Sequence, residues 1–435
     1  MPLVTPTEPV PLDQLGRVHF AGIGGAGMSG IAKIMLARGV TVSGSDSAAS
    51  AALTELEALG ARVHVGHSAA HLGDADTLVV SSAIRPDNPE LAEARRRGIR
   101  VLHRAGALAA LMFGRRVIAV TGTHGKTTTT SMITTVLRET GADPGYVIGG
   151  VLAATGTGAA DGAGPDFVAE ADESDGSFLM LAPDAAVVTN VEADHLDNYG
   201  TAAAYRASFG AFAARISPGG LLVTCADDPG ARDLAAAAAG RGLTLRVPGL
   251  HNALNAAAAF AAAVELGVPP ERAAAALASY RGAARRMEPK GEAGGVRVLD
   301  TYAHHPTELT ADLRAARAIV GAGRVIAVFQ PHLYSRTRIF AAEFGAALAL
   351  ADEAVVLDVY AAREDPEPGV TGKLVADAVP GGTALYVAAA SDVPKVVASL
   401  AAPGDLVLTM GAGDVTRLGP VILAEIGAEA GAGRT

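Results

Sequence analysis

The stretch VIAVTGTHGKTTTTSMI, residues 117–133, contains an apolar run, a glycine-rich turn with one lysine, and four consecutive threonines. The apolar run predicts a buried strand over residues 116–121, and the residues after the turn predict a helix that ends near Gly141. A strand that enters a helix through a short glycine-rich turn is typical of loops whose backbone amides surround phosphate oxygens. The stretch therefore predicts an α/β domain that binds ATP or GTP.

This loop departs from the complete GxxxxGK[ST] pattern, because Val120 stands at the position of the first glycine. Lys126 can still neutralise the outer phosphates, and the Thr127 hydroxyl can ligate Mg²⁺. The residues expected to hold the nucleotide are Gly122, Thr123, His124, Gly125, Lys126, Thr127 and Thr128. The alternative is a strand–turn–helix junction that carries Gly-Lys-Thr and binds nothing.

A second glycine-rich turn lies earlier in the chain, in HFAGIGGAGMSGIA at residues 19–32. Gly22, Gly24 and Gly27 form GxGxxG between a predicted strand and a predicted helix, which lets the backbone approach a diphosphate at the helix N-terminus. Asp46 follows the next predicted strand, where its carboxylate could reach a ribose hydroxyl. Any nucleotide diphosphate fits this geometry, so the pattern does not specify NAD; a tight turn that binds nothing is the alternative.

Two further predicted strands end in acidic segments, FVAEADESD and VVTNVEADHLD. Because the carboxyl ends of parallel strands line one ligand crevice, Glu173 and His195 could approach Thr127. Mg²⁺ prefers oxygen ligands, so these three residues are the predicted metal site, although any single acid could instead be a solvated loop residue. Asp172 and Asp175 could serve only to shape the loop.

The chain has 435 residues, 50% of them hydrophobic, a net charge of -10 and one cysteine. This length suggests roughly three domains, and alternating strand-like and helix-like runs predict α/β layers with largely parallel sheets. The expected domains are residues 1–114, 115–284 and 285–435. The acidic total argues against general nucleic-acid binding. The single cysteine excludes an internal disulfide and fits the cytoplasm, and no signal peptide or membrane span is predicted.

Taken together, these motifs resemble the Mur ligases, in the order of that family and across residues 18–414. The further motifs that carry the resemblance are SSAI, DNPE, HNALNAAAA, YAHHPTEL and FQPHLYSRT. The resemblance implies a Rossmann-like N-terminal domain for a UDP-sugar, a central P-loop domain for MgATP, and a Rossmann-like C-terminal domain for an amino acid. It also implies a cytoplasmic role in peptidoglycan precursor synthesis, and thus in cell-wall biogenesis, cell shape and cell division.

The implied reaction is ATP-dependent amide-bond formation. The lactyl carboxylate of UDP-N-acetylmuramate becomes an acyl phosphate, and the amine of L-alanine then displaces phosphate. One glycine turn would hold the UDP diphosphate and the other would hold ATP. A related ligase that attaches a preformed peptide to the same sugar nucleotide is the alternative within the class. A nicotinamide oxidoreductase would leave the Lys126 loop unexplained, and a non-catalytic binding protein with the same fold is a third hypothesis.

The resemblance also implies roles for individual residues. The catalytic residues would be Lys126, Glu173, His195 and Arg336, and the residues near ATP would include His251, Asn252 and Asn255. Substrate-binding residues would be Gly22, Gly24, Gly25, Gly27, Met28, Ser29, Asp46, Ser82, Tyr302, His304, His305, His332 and Arg336. Arg336 is the candidate for the alanine carboxylate, because a guanidinium can bind a carboxylate in a bidentate fork.

The central domain departs from the family pattern between residues 228 and 247, where this chain is short. Family members carry additional residues there, read as strands at the edge of the domain. GLTLRV is expected to be the remaining strand, and every phosphate motif is retained.

Overall fold

The computed structural model describes residues 6–225, 228–238, 243–247, 251–362 and 364–432. Strands and helices alternate along these residues and form three sheets, each mainly parallel. The α/β class predicted from the alternation is therefore confirmed. No helix in the described ranges is both long enough and apolar enough to cross a membrane.

The first sheet is entirely parallel. Its strands are β1 (Val18–Ala21), β2 (Val42–Asp46), β3 (Arg62–Val65), β4 (Thr77–Val80) and β5 (Arg100–His103). The helices between and after them are α1 (Ala26–Ala37), α2 (Ala51–Ala58), α3 (Pro89–Arg97) and α4 (Arg104–Met112). The strand order β3-β2-β1-β4-β5 reverses direction at β1, and ligands of open parallel sheets bind at such a switch point. The first glycine turn follows β1 at this position.

The second sheet carries the Lys126 loop at its centre. Its strands are β6 (Arg116–Thr121), β7 (Gly145–Leu152), β8 (Thr157–Ala160), β9 (Asp166–Glu170), β10 (Ala185–Val188), β11 (Leu221–Cys225) and β12 (Leu243–Val247). Its helices are α5 (Lys126–Glu139), α6 (Leu196–Tyr199), α7 (Ala202–Ala213), α8 (Pro229–Ala238), α9 (His251–Glu265) and α10 (Pro270–Ala278). The order is β12-β11-β10-β6-β9-β7-β8, with only β8 antiparallel to its neighbour among the described strands. The predicted strand over residues 116–121 matches β6, and the strand expected within GLTLRV is the edge strand β12.

Alanine packing holds α5 and α9 together over this sheet. Ala259, Ala262 and Ala263 of α9 are fully buried in one cluster with Ile133 and Val136 of α5. Positions three and four apart share one face of a helix, so small side chains on that face allow close helix approach. This packing places the start of α9 beside the turn that begins α5.

The third sheet forms separately from the first two. Its strands are β13 (Glu288–Ala293), β14 (Val296–Thr301), β15 (Val325–Phe329), β16 (Glu353–Val356), β17 (Leu385–Tyr386) and β18 (Leu406–Met410). Its helices are α11 (Pro306–Val320), α12 (Tyr334–Leu348), α13 (Gly372–Asp377), α14 (Val393–Leu400) and α15 (Leu418–Ala432). The order is β13-β14-β18-β15-β16-β17, with the β13 hairpin pair antiparallel and the other pairs parallel.

The chain divides into two compact units, Met1–Ala283 and Ala284–Thr435. The first unit contains the first two sheets, which share one hydrophobic core cluster. Helix α1 lies directly on β8, and a Cβ added at Gly30 would be 2.9 Å from the Cβ of Ala159. The first two sheets are therefore packed against each other rather than linked only by chain. The domain boundaries expected near residues 114 and 284 stay predictions.

Candidate functional site

The turn between β6 and α5 has room for backbone only at its two glycines, Gly122 and Gly125. Gly122 has a φ of +129° and Gly125 a φ of +82°, conformations that favour glycine. A Cβ at Gly122 would lie 2.1 Å from Thr189 Oγ1, and one at Gly125 would lie 2.6 Å from Asn255 Oδ1. Gly125 is the N-cap of α5 and supplies no side-chain cap. The first amides of α5 therefore face a turn whose shape suits an oxyanion.

Residues at the end of β10 hold this turn in place. Asn190 accepts a hydrogen bond from the His124 amide at 2.8 Å, and its own side-chain amide donates to the His124 carbonyl at 3.0 Å. The Thr189 hydroxyl donates to the same carbonyl at 2.5 Å. The sequence analysis assigned no role to these two residues. Their signal was their position, as polar residues directly after a buried strand that neighbours β6.

Lys126 points back over the turn. Its ammonium donates to the carbonyls of Gly122 at 2.7 Å and Thr123 at 3.1 Å. It also donates to Glu173 Oε1 at 3.1 Å and lies 2.9 Å from Oε2. Burial alone would lower the pKa of Lys126, but the neighbouring carboxylates of Glu173, Asp172 and Glu170 outweigh it and raise that pKa. Lys126 is therefore a fixed cation at the mouth of the turn.

Glu173 and His195, two of the residues predicted to hold the metal, lie close together. His195 Nε2 lies 3.6 Å from Glu173 Oε1, and the Glu173 side chain is fully buried. Burial raises the pKa of Glu173 to about 7, with Asp172 adding to the rise and Lys126 opposing it. A cation that approaches such a buried carboxyl group would stabilise its ionised form. The Tyr199 hydroxyl donates to the Glu173 carbonyl at 2.5 Å and holds the backbone. The Tyr205 hydroxyl donates to Glu173 Oε1 at 3.4 Å and holds the side chain.

Thr127 contacts a carboxylate that the sequence analysis did not single out. Its hydroxyl donates to Glu170 Oε1 at 3.1 Å, while the other oxygen of Glu170 accepts from the Gly149 amide at 2.8 Å. Glu170 ends β9, which pairs with β6, so the two strand ends lie side by side. Glu170 belongs to the acidic segment FVAEADESD that the sequence pointed to, but its pairing with Thr127 depends on the order of the strands.

Asp172 and Asp175 are engaged by residues of the first sheet. Arg104 Nη2 donates to Asp172 Oδ2, and the Ser82 hydroxyl donates to Asp175 Oδ2. Although burial opposes the shift, Arg104 and Lys126 lower the pKa of Asp172. Through these two contacts the acids connect their loop to residues that follow β5 and β4. Ser82, predicted to bind substrate, lies at this junction.

The first glycine turn leads directly into α1. Gly25 is the N-cap of α1 and forms no side-chain cap, so α1 begins much as α5 does. The Gly24 amide donates to Asp46 Oδ2 at 2.9 Å, and a Cβ at Gly24 would lie 2.9 Å from the same oxygen. That oxygen of Asp46 therefore supports the turn. Met28 and Ser29 are buried in the first part of α1, and Gly27 lies beside Arg104.

In the second unit, several residues predicted to bind substrate lie close together, with their aromatic rings in contact. The His304 ring lies 5.3 Å from that of Tyr302 and 5.9 Å from that of His332, measured between centroids. Tyr360, which the sequence analysis missed, stacks on His332 at 5.7 Å. The position of Tyr360 could not be predicted from its neighbours in sequence, because its contact with His332 arises from a bridge between separate loops.

Arg336 lies in the first turn of α12 and is 5% exposed. Phe340, four residues later at a kink in α12, contacts the His305 ring with 5.0 Å between the ring centroids. In the first unit, Asn255 accepts from the Thr129 hydroxyl at 3.2 Å beside the Lys126 turn. The side chains of His251 and Asn252 lie outside the described residues.

The fold and these turns define a class, that of multidomain α/β proteins with a central phosphate-binding loop. Three family models match the chain: Mur ligase family, catalytic domain, at residues 17–116; Mur ligase middle domain, at 120–245; and Mur ligase, glutamate ligase domain, at 285–413. The chain is similar to UDP-N-acetylmuramate–L-alanine ligase of Nocardioides sp., with 61% identity over 97% of this chain and 99% of the relative. The ligase of that name from Thermobifida fusca is 56% identical over 98% and 100%.

Solved structures give the same picture. A UDP-N-acetylmuramate-alanine ligase from Thermotoga maritima matches with a TM-score of 0.79 and 29% identity, over 95% of this chain and 99% of that one. A murein peptide ligase from Psychrobacter arcticus matches with a TM-score of 0.72 and 26% identity, over the same shares. This chain belongs to the Mur ligase family.

We expect Gly122→Ala to abolish binding of a fluorescent ATP analogue, because the added Cβ would occupy the space of Thr189 Oγ1. The matched control is Gly141→Ala, which also has a positive φ, of +86°, but no atom within 4 Å of the added Cβ. It should cost about 1 kcal/mol of stability and leave binding intact. Equal binding by both variants would contradict the role assigned to the turn.

Proposed function

We propose that this enzyme joins L-alanine to the lactyl carboxylate of UDP-N-acetylmuramate, with ATP converted to ADP and phosphate. The observation that carries the chemistry is the buried Lys126–Glu173 pair at the start of an uncapped helix. The choice of substrates is supported by relatives more than half identical over nearly the whole chain, which are named for this activity. The reaction supplies a peptidoglycan precursor, and we place it in the cytoplasm, where ATP is available.

Lys126 and the amides of its turn would hold the outer phosphates of ATP. A carboxylate cannot release oxide at neutral pH, so the lactyl group must first be activated as an acyl phosphate. Negative charge is crowded while the phosphoryl group moves, and fixed donors stabilise that charge without reorganising. The Lys126 ammonium, already held by two carbonyls, is such a donor. The amine of alanine would then displace phosphate from the acyl carbon.

Thr127, Glu173 and His195 would hold magnesium. A hydroxyl, a buried carboxylate of raised pKa and one imidazole form a donor set rich in oxygen, which suits this ion with its retained waters. Glu170, which accepts from Thr127, would orient that hydroxyl. Bound magnesium would offset charge on the phosphate oxygens.

The first glycine turn and α1 would hold the UDP diphosphate, and Arg336 would hold the carboxylate of L-alanine. Arg336 is buried, lies in the first turn of a helix, and can donate two parallel hydrogen bonds. The rings of Tyr302, His304 and His332 would line the same region of the second unit. Attachment of a preformed peptide is the less supported alternative, since the peptide ligase is the more distant structural match.

Phosphate release in the presence of ATP, UDP-N-acetylmuramate and L-alanine tests this function. The wild-type enzyme should require all three, and Lys126→Ala should lower kcat at least about a hundredfold while the fold is retained, because a fixed transition-state donor is lost. The matched control is Lys395→Ala, at an exposed position of α14. Turnover with a peptide but not with alanine would contradict the substrate assignment, and near-normal turnover by Lys126→Ala would contradict the role of the turn.

A second expectation concerns pH. Because the pKa of the Glu173 carboxyl is raised to about 7, the ligand-free enzyme holds that proton below pH 7 and must release it when a magnesium–nucleotide complex binds. Calorimetry near pH 6.5 in buffers of different ionisation enthalpy should therefore show proton release on binding, and weaker binding as the pH falls. Glu173→Gln should remove this proton release. The same proton release in wild type and variant would rule out Glu173 as its source.

A third expectation concerns alanine. Arg336→Lys keeps the charge but loses the planar fork, so the KM for L-alanine should rise about tenfold or more while the KM for ATP changes little. Arg338→Lys is the matched control on the same helix, because Arg338 is half exposed and paired with Glu367. An unchanged KM for alanine in Arg336→Lys would show that the carboxylate binds elsewhere.

A further inference from the structure

We propose that Arg104 is a positioning residue. It would couple the first glycine turn, here called the sugar-nucleotide turn, to the acidic loop of residues 170–175, which carries Glu173. This inference rests on the proposed function, since it concerns how the sites for the two nucleotides communicate. Arg104 was not among the predicted site residues. Arg104, both glycine turns and the loop that carries Glu173 all lie within the first compact unit, Met1–Ala283.

Arg104 lies between the two glycine turns. It is the first residue of α4 and directly follows β5, at the carboxyl edge of the first sheet. Its Nη2 donates to Asp172 Oδ2. Its Nη1 lies 3.4 Å from the position that a Cβ would take at Gly27. One guanidinium therefore binds Asp172 on one side and lies beside Gly27 of the first glycine turn on the other.

A second contact ties the same loop to the first sheet. The Ser82 hydroxyl donates to Asp175 Oδ2 and lies 3.2 Å from His103 Nε2, which is itself 3.5 Å from Asp175 Oδ2. Asp172 and Asp175 are thus both held from the sugar-nucleotide side. Glu173, between them, faces Lys126 instead. The loop thus contacts the first sheet's side through Asp172 and Asp175, while Glu173 between them faces the Lys126 turn.

The charges explain why the Arg104 contact matters. Four acids lie within residues 170–175, and Lys126 contacts Glu173. Arg104 forms an ion pair with Asp172, so Glu173 is the acid that faces Lys126, where the nucleotide would bind. Without Arg104, the partly buried Asp172 would be left uncompensated and would compete for Lys126, because a carboxylate partly removed from water is costly to leave unpaired. Glu173 would then lose its defined position.

The same geometry predicts communication between the substrates. A guanidinium has five N–H donors, so Arg104 can keep Asp172 through Nη2 while Nη1 meets a diphosphate at the first turn. A bound sugar nucleotide would then fix the side chain that fixes the acidic loop. Coupling of this kind is reciprocal, so each nucleotide should raise the affinity for the other.

The test measures binding rather than turnover. Calorimetry gives the Kd of a magnesium complex of a non-hydrolysable ATP analogue, with and without saturating UDP-N-acetylmuramate. In the wild-type enzyme the sugar nucleotide should lower this Kd about fivefold or more, within the usual range of coupling energies. In Arg104→Gln the two values should agree within about twofold. Asp172→Asn should lose the coupling too, and the double variant should lose no more than either single one.

Arg38→Gln is the matched control. Arg38 also bridges the first two sheets, with Nε 2.9 Å and Nη2 2.7 Å from the two oxygens of Asp161, and the pair is buried to a similar degree. It does not touch the acidic loop, so the variant should lose stability but keep the coupling. Should Arg104→Gln fail to fold, Arg104→Lys replaces it. The single nitrogen of lysine cannot occupy the separate positions of Nη1 and Nη2, so the coupling should fall.

Three results would overturn the proposal: no coupling in the wild-type enzyme, wild-type coupling in the folded Arg104 variants, or equal loss in Arg38→Gln. Turnover of ATP, UDP-N-acetylmuramate and alanine by the wild-type enzyme decides the proposed function separately. Turnover without coupling would contradict only the role of Arg104. Coupling without turnover would contradict only the ligase assignment.

Discussion

The buried pair of Lys126 and Glu173 is the interaction on which the site depends. Placing two charges away from water costs several kcal/mol per ion, and removing one partner of such a pair typically costs about 3–5 kcal/mol. Here the lysine is also held by two backbone carbonyls of the turn, and the carboxylate is surrounded by further acids. The arrangement is poorly suited to stability alone. It is well suited to receive a ligand that is anionic beside the lysine and cationic beside the glutamate.

The strand order makes this pair possible. β6 lies between β9 and β10, so the turn after β6 meets the acids that follow β9 and the polar residues that follow β10. The first sheet repeats the principle, with a glycine turn after its switch-point strand and an uncapped helix behind it. Both turns expose backbone amides at the start of a helix, which is a general way to bind phosphate without many cations. In the proposed function, this is how a chain of net charge -10 would bind two substrates that carry several phosphate groups.

The sequence was most informative about elements formed by residues that are neighbours along the chain. The predicted strand before Lys126 and the helix after it correspond to β6 and α5, and the α/β class was confirmed. The contacts of Thr127 with Glu170 and of Arg104 with Asp172 could not be predicted, because they depend on which strands are neighbours and how two sheets pack. Glu170 and Glu173 are both acids after a buried strand, and only the fold shows which one meets Thr127. The domain boundaries and residue roles stay predictions.

A crystal structure with magnesium, UDP-N-acetylmuramate and a non-hydrolysable ATP analogue would test the account most directly. We expect the β- and γ-phosphates against the amides of residues 122–127, with Lys126 Nζ within hydrogen-bond distance of a phosphate oxygen and Glu173 facing the metal. A nucleotide bound elsewhere, with the Lys126–Glu173 contact unchanged, would contradict the account.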